Sequence, residues 1–197
     1  KLAEDFASKH SNFFVLKESH RGKAGTVTAG ILKAKGEIIL FTDADQATPI
    51  DQLENILPKF FSQGGPTSGG KVGYDVVIGS RHGREGAPII RKIMATGFSL
   101  LRLLVLRLPF KDTQCGFKCF SAKIADDIFN LQTLNGWSFD IELLFIARRR
   151  KYIIQEIPIH WVHHPETKVS ALRDAIRMIE DIFRIHANAR RGMYGTR

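Results

Sequence analysis

A chain of 197 residues that is 44% hydrophobic and 25% charged has the composition of a folded soluble domain and excludes a disordered segment. Its 29 Lys and Arg against 20 Asp and Glu leave a formal charge of +9, which points to an anionic partner: a nucleotide, a nucleic acid, a phospholipid surface or a phosphorylated substrate. Cys115 and Cys119 are too few for a disulfide framework and have no Cys/His pair nearby for zinc, which fits a reducing, cytosol-facing compartment.

The chain opens in mid-pattern, without an initiator Met or a signal peptide. A helical stretch around Leu2 and Phe6 runs straight into a strand expected within Asn12–Glu18, centred on Phe13–Lys17. This predicts a piece whose upstream part is missing. A helix follows over Lys23–Ala34, closed by Gly36, and the Gly22-Lys23-Ala24-Gly25 run at its start offers backbone N–H groups and a cation to an anion. It lacks the Gly-Lys-Ser/Thr of a Walker A loop, so a plain Gly-rich helix start stands beside the phosphate reading.

The run Glu37–Thr42 reads as a buried strand, and Asp43-Ala44-Asp45-Gln46 stands at its C-terminal end. Ligands of open α/β sheets collect there, and two carboxylates one residue apart can hold Mg²⁺ or Mn²⁺ against nucleotide phosphates. The alternative is a solvated turn whose acids serve the next helix. That helix is predicted over Pro49–Phe61, with Thr48 as N-cap, Pro49 at the first helical position and Asp51 three residues beyond the cap.

Gln63–Gly73 is rich in Gly, Pro and Ser and reads as a loop, and Tyr74–Gly79 as a short strand ending in Ser80-Arg81. Arg81 leaves the sheet at the same kind of edge and, with Arg84 and Arg91 nearby, suits a phosphate; it also suits an ordinary surface arginine. Ile89–Leu108 is a long apolar helix interrupted by Arg102 and Arg107. It is either a core helix or one lying in a membrane interface with arginines reaching headgroups.

A turn-rich Asp112-Thr113-Gln114-Cys115-Gly116-Phe117-Lys118 leads into a strand over Cys115–Phe120. The helix Phe139–Arg150 carries Asp140 and Glu142 in its first turn, where acids favour the helix dipole; Asp140 could instead orient a substrate group. Tyr152–Val162 is a strand whose Pro158 assigns it to an edge or a bulge. His163 and His164 point oppositely in an extended segment, which leaves Lys168 as the cation of that loop. A last amphipathic helix spans Val169–Arg191, with Ile176, Ile179, Ile182 and Phe183 as its apolar positions. The alternation of strands and helices makes this an α/β chain with a parallel or mixed sheet, read as a single domain.

Taken in order, Arg21-Gly22-Lys23-Ala24-Gly25, Asp43-Ala44-Asp45, Gly79-Ser80-Arg81, the Asp112–Lys118 run, Phe139-Asp140-Ile141-Glu142-Leu143 and Lys168-Val169-Ser170 resemble the family 2 inverting glycosyltransferases of GT-A fold. Among these the chain is most like the dolichyl-phosphate β-glucosyltransferases and their prokaryotic polyprenyl-phosphate relatives. The resemblance implies a GT-A, Rossmann-like mixed sheet flanked by helices and lacking the first strands. It further implies transfer of glucose from UDP-glucose to a polyprenyl or dolichyl phosphate, with GDP-mannose or another lipid acceptor as the alternative.

By position, Lys23, Asp43, Asp45 and Gln46 would bind the donor, and Asp45 with Asp43 would ligate Mg²⁺ or Mn²⁺. A further metal ligand of mannosyl-transferring relatives falls on Ala47. Arg81, Arg91 and Lys168 would meet the acceptor phosphate or leaving diphosphate, and Asp45, Arg81 and Asp140 are the candidate catalytic residues. The resemblance also places the protein at a membrane surface on the cytoplasmic face: the plasma membrane in a prokaryote, the endoplasmic reticulum in a eukaryote. A nucleic-acid partner is disfavoured by scattered basic residues, only three Tyr and two Trp, and no RRM, KH or helix-turn-helix signature. An inactive fragment is the remaining reading.

Overall fold

The computed structural model describes residues 1–61, 73–81, 89–162 and 171–195, with only the backbone of 89–93 and 171–173. Its elements in chain order are α1 (Leu2–Ala7), α2 (Gly22–Lys33), β1 (Ile38–Thr42), a 3₁₀ turn (Ile50–Gln52), α3 (Leu53–Phe61), β2 (Val76–Arg81) and α4 (Ile89–Leu106). Then come β3 (Phe117–Ser121), α5 (Ala122–Phe129), α6 (Phe139–Arg149), β4 (Ile154–Ile159) and α7 (Ala171–Arg190).

The four strands form one sheet in the order β1-β3-β2-β4. β3 is antiparallel to both β1 and β2, with Leu40 opposite Cys119 and Val77 opposite Cys119 on the other side; β2 and β4 are parallel. Strands β1, β2 and β4 therefore end at one edge of the sheet, and β3 begins there. Whatever follows β1, β2 and β4, and whatever precedes β3, is gathered at that edge.

Side-chain alternation along the strands divides the core. Val76, Ile78 and Phe120 face one layer with Ile124, Ile128, Ile141, Leu144, Ile182 and Ile185, while Val77, Phe117, Cys119, Ile157 and Ile159 face the other with Ile56. Each such fully buried aliphatic or aromatic side chain contributes about 1.5–3 kcal/mol relative to exposure. Burial pushes the Cys119 thiol up to about 12, so it behaves as a small hydrophobe.

Several expectations are corrected. Phe13–Lys17 forms no strand: Phe13, Phe14, Val15 and Leu16 are exposed, and no described strand lies beside them to accept their hydrogen bonds. Thr48 is not the cap of α3; it is buried, Pro49 precedes a 3₁₀ turn, and the α-helix starts only at Leu53. The helix α5 was not anticipated, although Ile124, Ala125, Ile128 and Phe129 are spaced for one buried face. In α7, Ile182 is buried as expected, but Ile176, Ile179 and Phe183 are exposed, because the core takes the face of Ile182, Ile185 and Ala189 instead.

The helix α4 ends at Leu106, where Arg107 takes a left-handed φ of 55°, two residues short of the expected boundary. Arg102 does not reach outward to headgroups. It is buried, donating to Thr113 Oγ1 (2.8 Å) and to the Phe110 carbonyl, and so ties α4 to the loop before β3. Pro158 lies on the edge strand β4, as its missing N–H requires. The Gln63–Gly73 loop falls outside the described residues apart from Gly73.

Candidate active site

The Asp-Ala-Asp run turns sharply off the end of β1. Gln46 adopts φ 51° and donates its N–H to the Asp43 carbonyl (3.2 Å), while Asp45 Oδ1 accepts the Ala47 N–H (3.0 Å). This small closed turn keeps Asp45 and Gln46 at the surface and sends Ala47 into the interior, where its carbonyl accepts the Val162 N–H (2.8 Å). Ala47 is thus a packing residue that fastens the turn to the segment after β4.

Asp43 is held from two sides. Its N–H donates to the Gly116 carbonyl (3.1 Å), and Oδ1 receives Lys23 Nζ from α2 at 2.7 Å. A Cβ on Gly116 would stand 1.9 Å from Asp43 Oδ2, so the carboxylate occupies the space that a side chain at 116 would fill. Lys23 reaches Asp43 because Gly22, at φ 72°, lets the chain turn abruptly into α2. The helix start expected to receive an anion therefore presents its lysine to Asp43, and Arg21 pairs with Glu18 (2.6 Å).

Arg81 closes the other side. Its guanidinium forks onto Asp112, with Nε to Oδ2 at 2.6 Å and Nη2 to Oδ1 at 2.8 Å, and lies 5.5 Å from the Trp161 ring centre. Burial opposes the Arg81 charge, but the bond and field of Asp112, then the fields of Cys115 and Asp43, hold it above its ordinary value. Glu156 of β4 accepts the Lys111 and Asp112 N–H groups (2.9 and 2.7 Å). Arg81 is consequently a brace that fixes the Asp112–Gly116 loop against the sheet, with its charge already partnered. Arg91 lies in the first turn of α4, where only the backbone is described; Lys168, His163 and His164 lie outside the described residues.

Asp140 is not a surface acid at a helix start. It is 3% exposed and accepts Lys118 Nζ at 2.6 Å; Lys118, wholly buried on β3, also donates to the Cys115 carbonyl. Burial raises the Asp140 carboxyl from its ordinary value, Lys118 and Lys23 oppose the rise, and Asp43 adds to it. The Phe41 ring has Lys23 Nζ 5.3 Å and Lys118 Nζ 5.8 Å from its centre. The pairs Lys23–Asp43 and Lys118–Asp140 thus both set their ammonium groups near that ring.

Glu142 is likewise interior. It accepts the Thr133 and Leu134 N–H groups (3.0 and 2.8 Å), the Thr133 hydroxyl (2.5 Å) and the Tyr194 hydroxyl (2.7 Å), which fastens the 133–137 loop onto α6. At the end of that loop Trp137 is half exposed, its ring centre 5.9 Å from Lys23 Nζ. Sequence reasoning missed Asp112, Lys118, Glu142 and Trp137 as parts of this assembly. A lysine alternating with Phe117 and Cys119 in a buried strand was a signal that an acid must lie opposite.

As to metal, Asp43 and Asp45 give two hard oxygen donors side by side at a strand end, the donor chemistry that suits a Mg²⁺- or Mn²⁺-bound diphosphate. Among the described residues no third His, Cys, Asp or Glu joins them. The residues fit a metal that draws its remaining ligands from substrate and water.

Comparison with known proteins gives the family and the fold. The sequence model of glycosyl transferase family 2 matches residues 1–129. A dolichyl-phosphate beta-glucosyltransferase of Trichomonas vaginalis is 35% identical over 92% of this chain and 55% of its own length. The Saccharomyces cerevisiae dolichyl-phosphate beta-glucosyltransferase is 32% identical over 97% of this chain and 60% of its own. The chain thus spans about half the length of the curated relatives it matches. The glucosyl-3-phosphoglycerate synthase of Mycobacterium tuberculosis, crystallised with Mn²⁺, UDP-glucose and phosphoglyceric acid, superposes with a TM-score of 0.52 at 14% identity, covering 88% of this chain and 57% of that one. That likeness shows the GT-A fold. With its mixed sheet, its acidic turn after β1 and the matched residues 1–129, the chain belongs to glycosyl transferase family 2.

Proposed function

We propose that this chain carries the diphosphate-binding part of a hexosyltransferase that moves glucose from UDP-glucose to a polyprenyl or dolichyl phosphate with inversion. The observation that carries the reading is the convergence at one sheet edge of Asp43, Asp45, Lys23 and the braced Asp112–Gly116 loop. The acceptor and sugar follow from the relatives, dolichyl-phosphate beta-glucosyltransferases over most of this chain. The structural neighbour crystallised with Mn²⁺ and UDP-glucose supports the choice of nucleotide and metal.

The chemistry asks little of a general base. A phosphate monoester oxygen is already ionised near neutral pH, so it attacks the anomeric carbon directly as the bond to the diphosphate oxygen breaks and UDP departs with the electron pair. A bound Mg²⁺ or Mn²⁺ supplies positive charge to that diphosphate. Asp45, the more exposed acid, would ligate it with its free carboxylate oxygen, and Asp43 would contribute beside Lys23. Lys23 is placed to exchange its bond with Asp43 for one with a phosphate oxygen, so the leaving group meets a charge already oriented by α2. Asp140, buried against Lys118, holds the floor of the site.

Membrane attachment fits the same reading. The packed helices α4 and α7 leave Leu100, Leu103, Leu104, Ile176, Ile179 and Phe183 exposed, with Arg107, Arg184 and Arg190 also at the surface. Apolar rows accompanied by arginines suit an anionic lipid interface, where an acceptor on a lipid tail would be met. Among the described residues no helix is long and apolar enough to cross a membrane.

The test is donor turnover by the full-length protein with Mn²⁺ and polyprenyl phosphate. Asp45→Ala is expected to abolish metal-dependent transfer, and the product is expected to be β-linked. Undiminished turnover in Asp45→Ala refutes the metal assignment, and an α-linked product refutes in-line inversion.

A further inference from the structure

Trp137 stands beside the Lys23–Asp43 pair. Half of its large apolar surface stands in water, at a hydration cost, on a loop that is anything but slack. Glu142 pins Thr133 and Leu134, Gln132 Nε2 donates to the Leu134 carbonyl at 2.6 Å, and Gln114 Nε2 donates to the Trp137 carbonyl at 3.3 Å. On the other flank Asn135 is packed against the α2 start, its carbonyl 3.2 Å from where a Gly22 Cβ would be. A rigidly mounted, exposed aromatic is a binding surface whose ordering entropy is spent in folding rather than in binding.

Its position says what it binds. The ring is 5.9 Å from Lys23 Nζ, which is 2.7 Å from Asp43 Oδ1, so a sugar joined to a diphosphate at Asp43 and Asp45 has that ring as its neighbour. Next to Trp137, a cleft of about 480 Å³ separates the 133–137 loop from α7, with Asp174, Arg177, Met178, Asp181 and Arg184 along its walls. That size lies within the usual range for a small-molecule site. The mixture of acids and guanidiniums offers both acceptors and donors, which suits neutral hydroxyl groups. A second phosphate would be repelled by Asp174, Glu180 and Asp181, and a lipid tail would leave five charges unsolvated, those of these three acids and of Arg177 and Arg184.

We propose that Trp137 is a stacking platform for the hexose of the donor, and that the cleft beside it receives the sugar hydroxyls. This rests on the transferase reading above and makes Trp137 a residue that sets sugar affinity. Apolar C–H faces of a pyranose lie against the indole while its edge hydroxyls reach the α7 carboxylates and guanidiniums.

The experiment compares UDP with UDP-glucose, each with Mn²⁺, by calorimetric titration of the full-length wild type, Trp137→Ala and Trp137→Phe. Loss of one aromatic contact predicts about three- to tenfold weaker UDP-glucose binding by Trp137→Ala, with UDP binding unchanged and Trp137→Phe recovering most of the loss. Equal weakening of both ligands would mean that Trp137 only supports the loop, and overturns the proposal. Unchanged UDP-glucose binding, or a change confined to the KM for polyprenyl phosphate, overturns it while leaving the transferase reading intact. A wild type that binds neither nucleotide overturns both.

Discussion

At the scale of single residues, the tightest fit in the site belongs to a glycine. Gly116 carries no side chain, and the Asp43 carboxylate fills the vacancy, with the Lys23 ammonium on its far side. Gly116→Ala must therefore displace Asp43 or the β3 loop by more than an ångström. Misplacement on that scale costs about 100-fold in rate, so Gly116→Ala is expected to lose most transfer activity while its circular dichroism stays native. An active Gly116→Ala protein would show that Asp43 tolerates another position. The spacing of Asp43 and Asp45 after an apolar strand left a metal site and a solvated turn open, and the family resemblance favoured the metal site. The need for Gly116 was not legible, because the contact joins residues 73 positions apart that meet only through β1–β3 pairing.

At the scale of elements, β3 and α6 are joined by a charge pair inside the core. Lys118 and Asp140 are each nearly without solvent contact, and their bond is 2.6 Å long. Two buried ions need each other far more than the fold needs either. Lys118→Met is expected to cost about 3–5 kcal/mol, because Asp140 is left buried and unpaired, whereas Lys118→Met with Asp140→Leu is expected to regain most of it. Urea unfolding of the two variants measures this, and a Lys118→Met protein as stable as wild type would contradict it. The helices and strands themselves were mostly readable from periodicity, with boundaries off by up to four residues, the largest at the start of α3. The direction of β3 was not, since an apolar strand alternates in the same way whichever way it runs. Phe13–Lys17 shows the converse: a strand-like pattern forms no strand where no described neighbouring strand takes up its hydrogen bonds.

At the scale of the whole molecule, the proposed membrane contact rests on the two exposed apolar rows of α4 and α7. Leu104, 69% exposed, and Phe183, 53% exposed, are solvated in the isolated chain, so replacing them costs the core little. Leu104→Asp with Phe183→Asp is expected to reduce sedimentation with phosphatidylglycerol vesicles several-fold, with an unchanged melting temperature. Equal vesicle binding by wild type and variant would remove these helices from the interface. Arg102 marks the difference between pattern and packing. In the sequence it suited either a core helix or an arginine aimed at headgroups; it turns inward to the Phe110 carbonyl and Thr113, where the loop before β3 offers acceptors.

The sequence by itself determined the α/β class, the apolar strands, the acidic turn after the first of them, the edge placement of the Pro158 strand and the family resemblance. All of these depend on short-range pattern, which a linear chain displays openly. Tertiary structure alone decided that β3 inserts antiparallel between β1 and β2, and that this insertion delivers Gly116 to Asp43, Asp112 to Arg81 and Lys118 to Asp140. It also decided that Glu142 and Asp140, alike in sequence as acids of a first helical turn, face inward to different partners. Burial changes what a charged group requires, and burial is set by which elements meet, not by the neighbours along the chain.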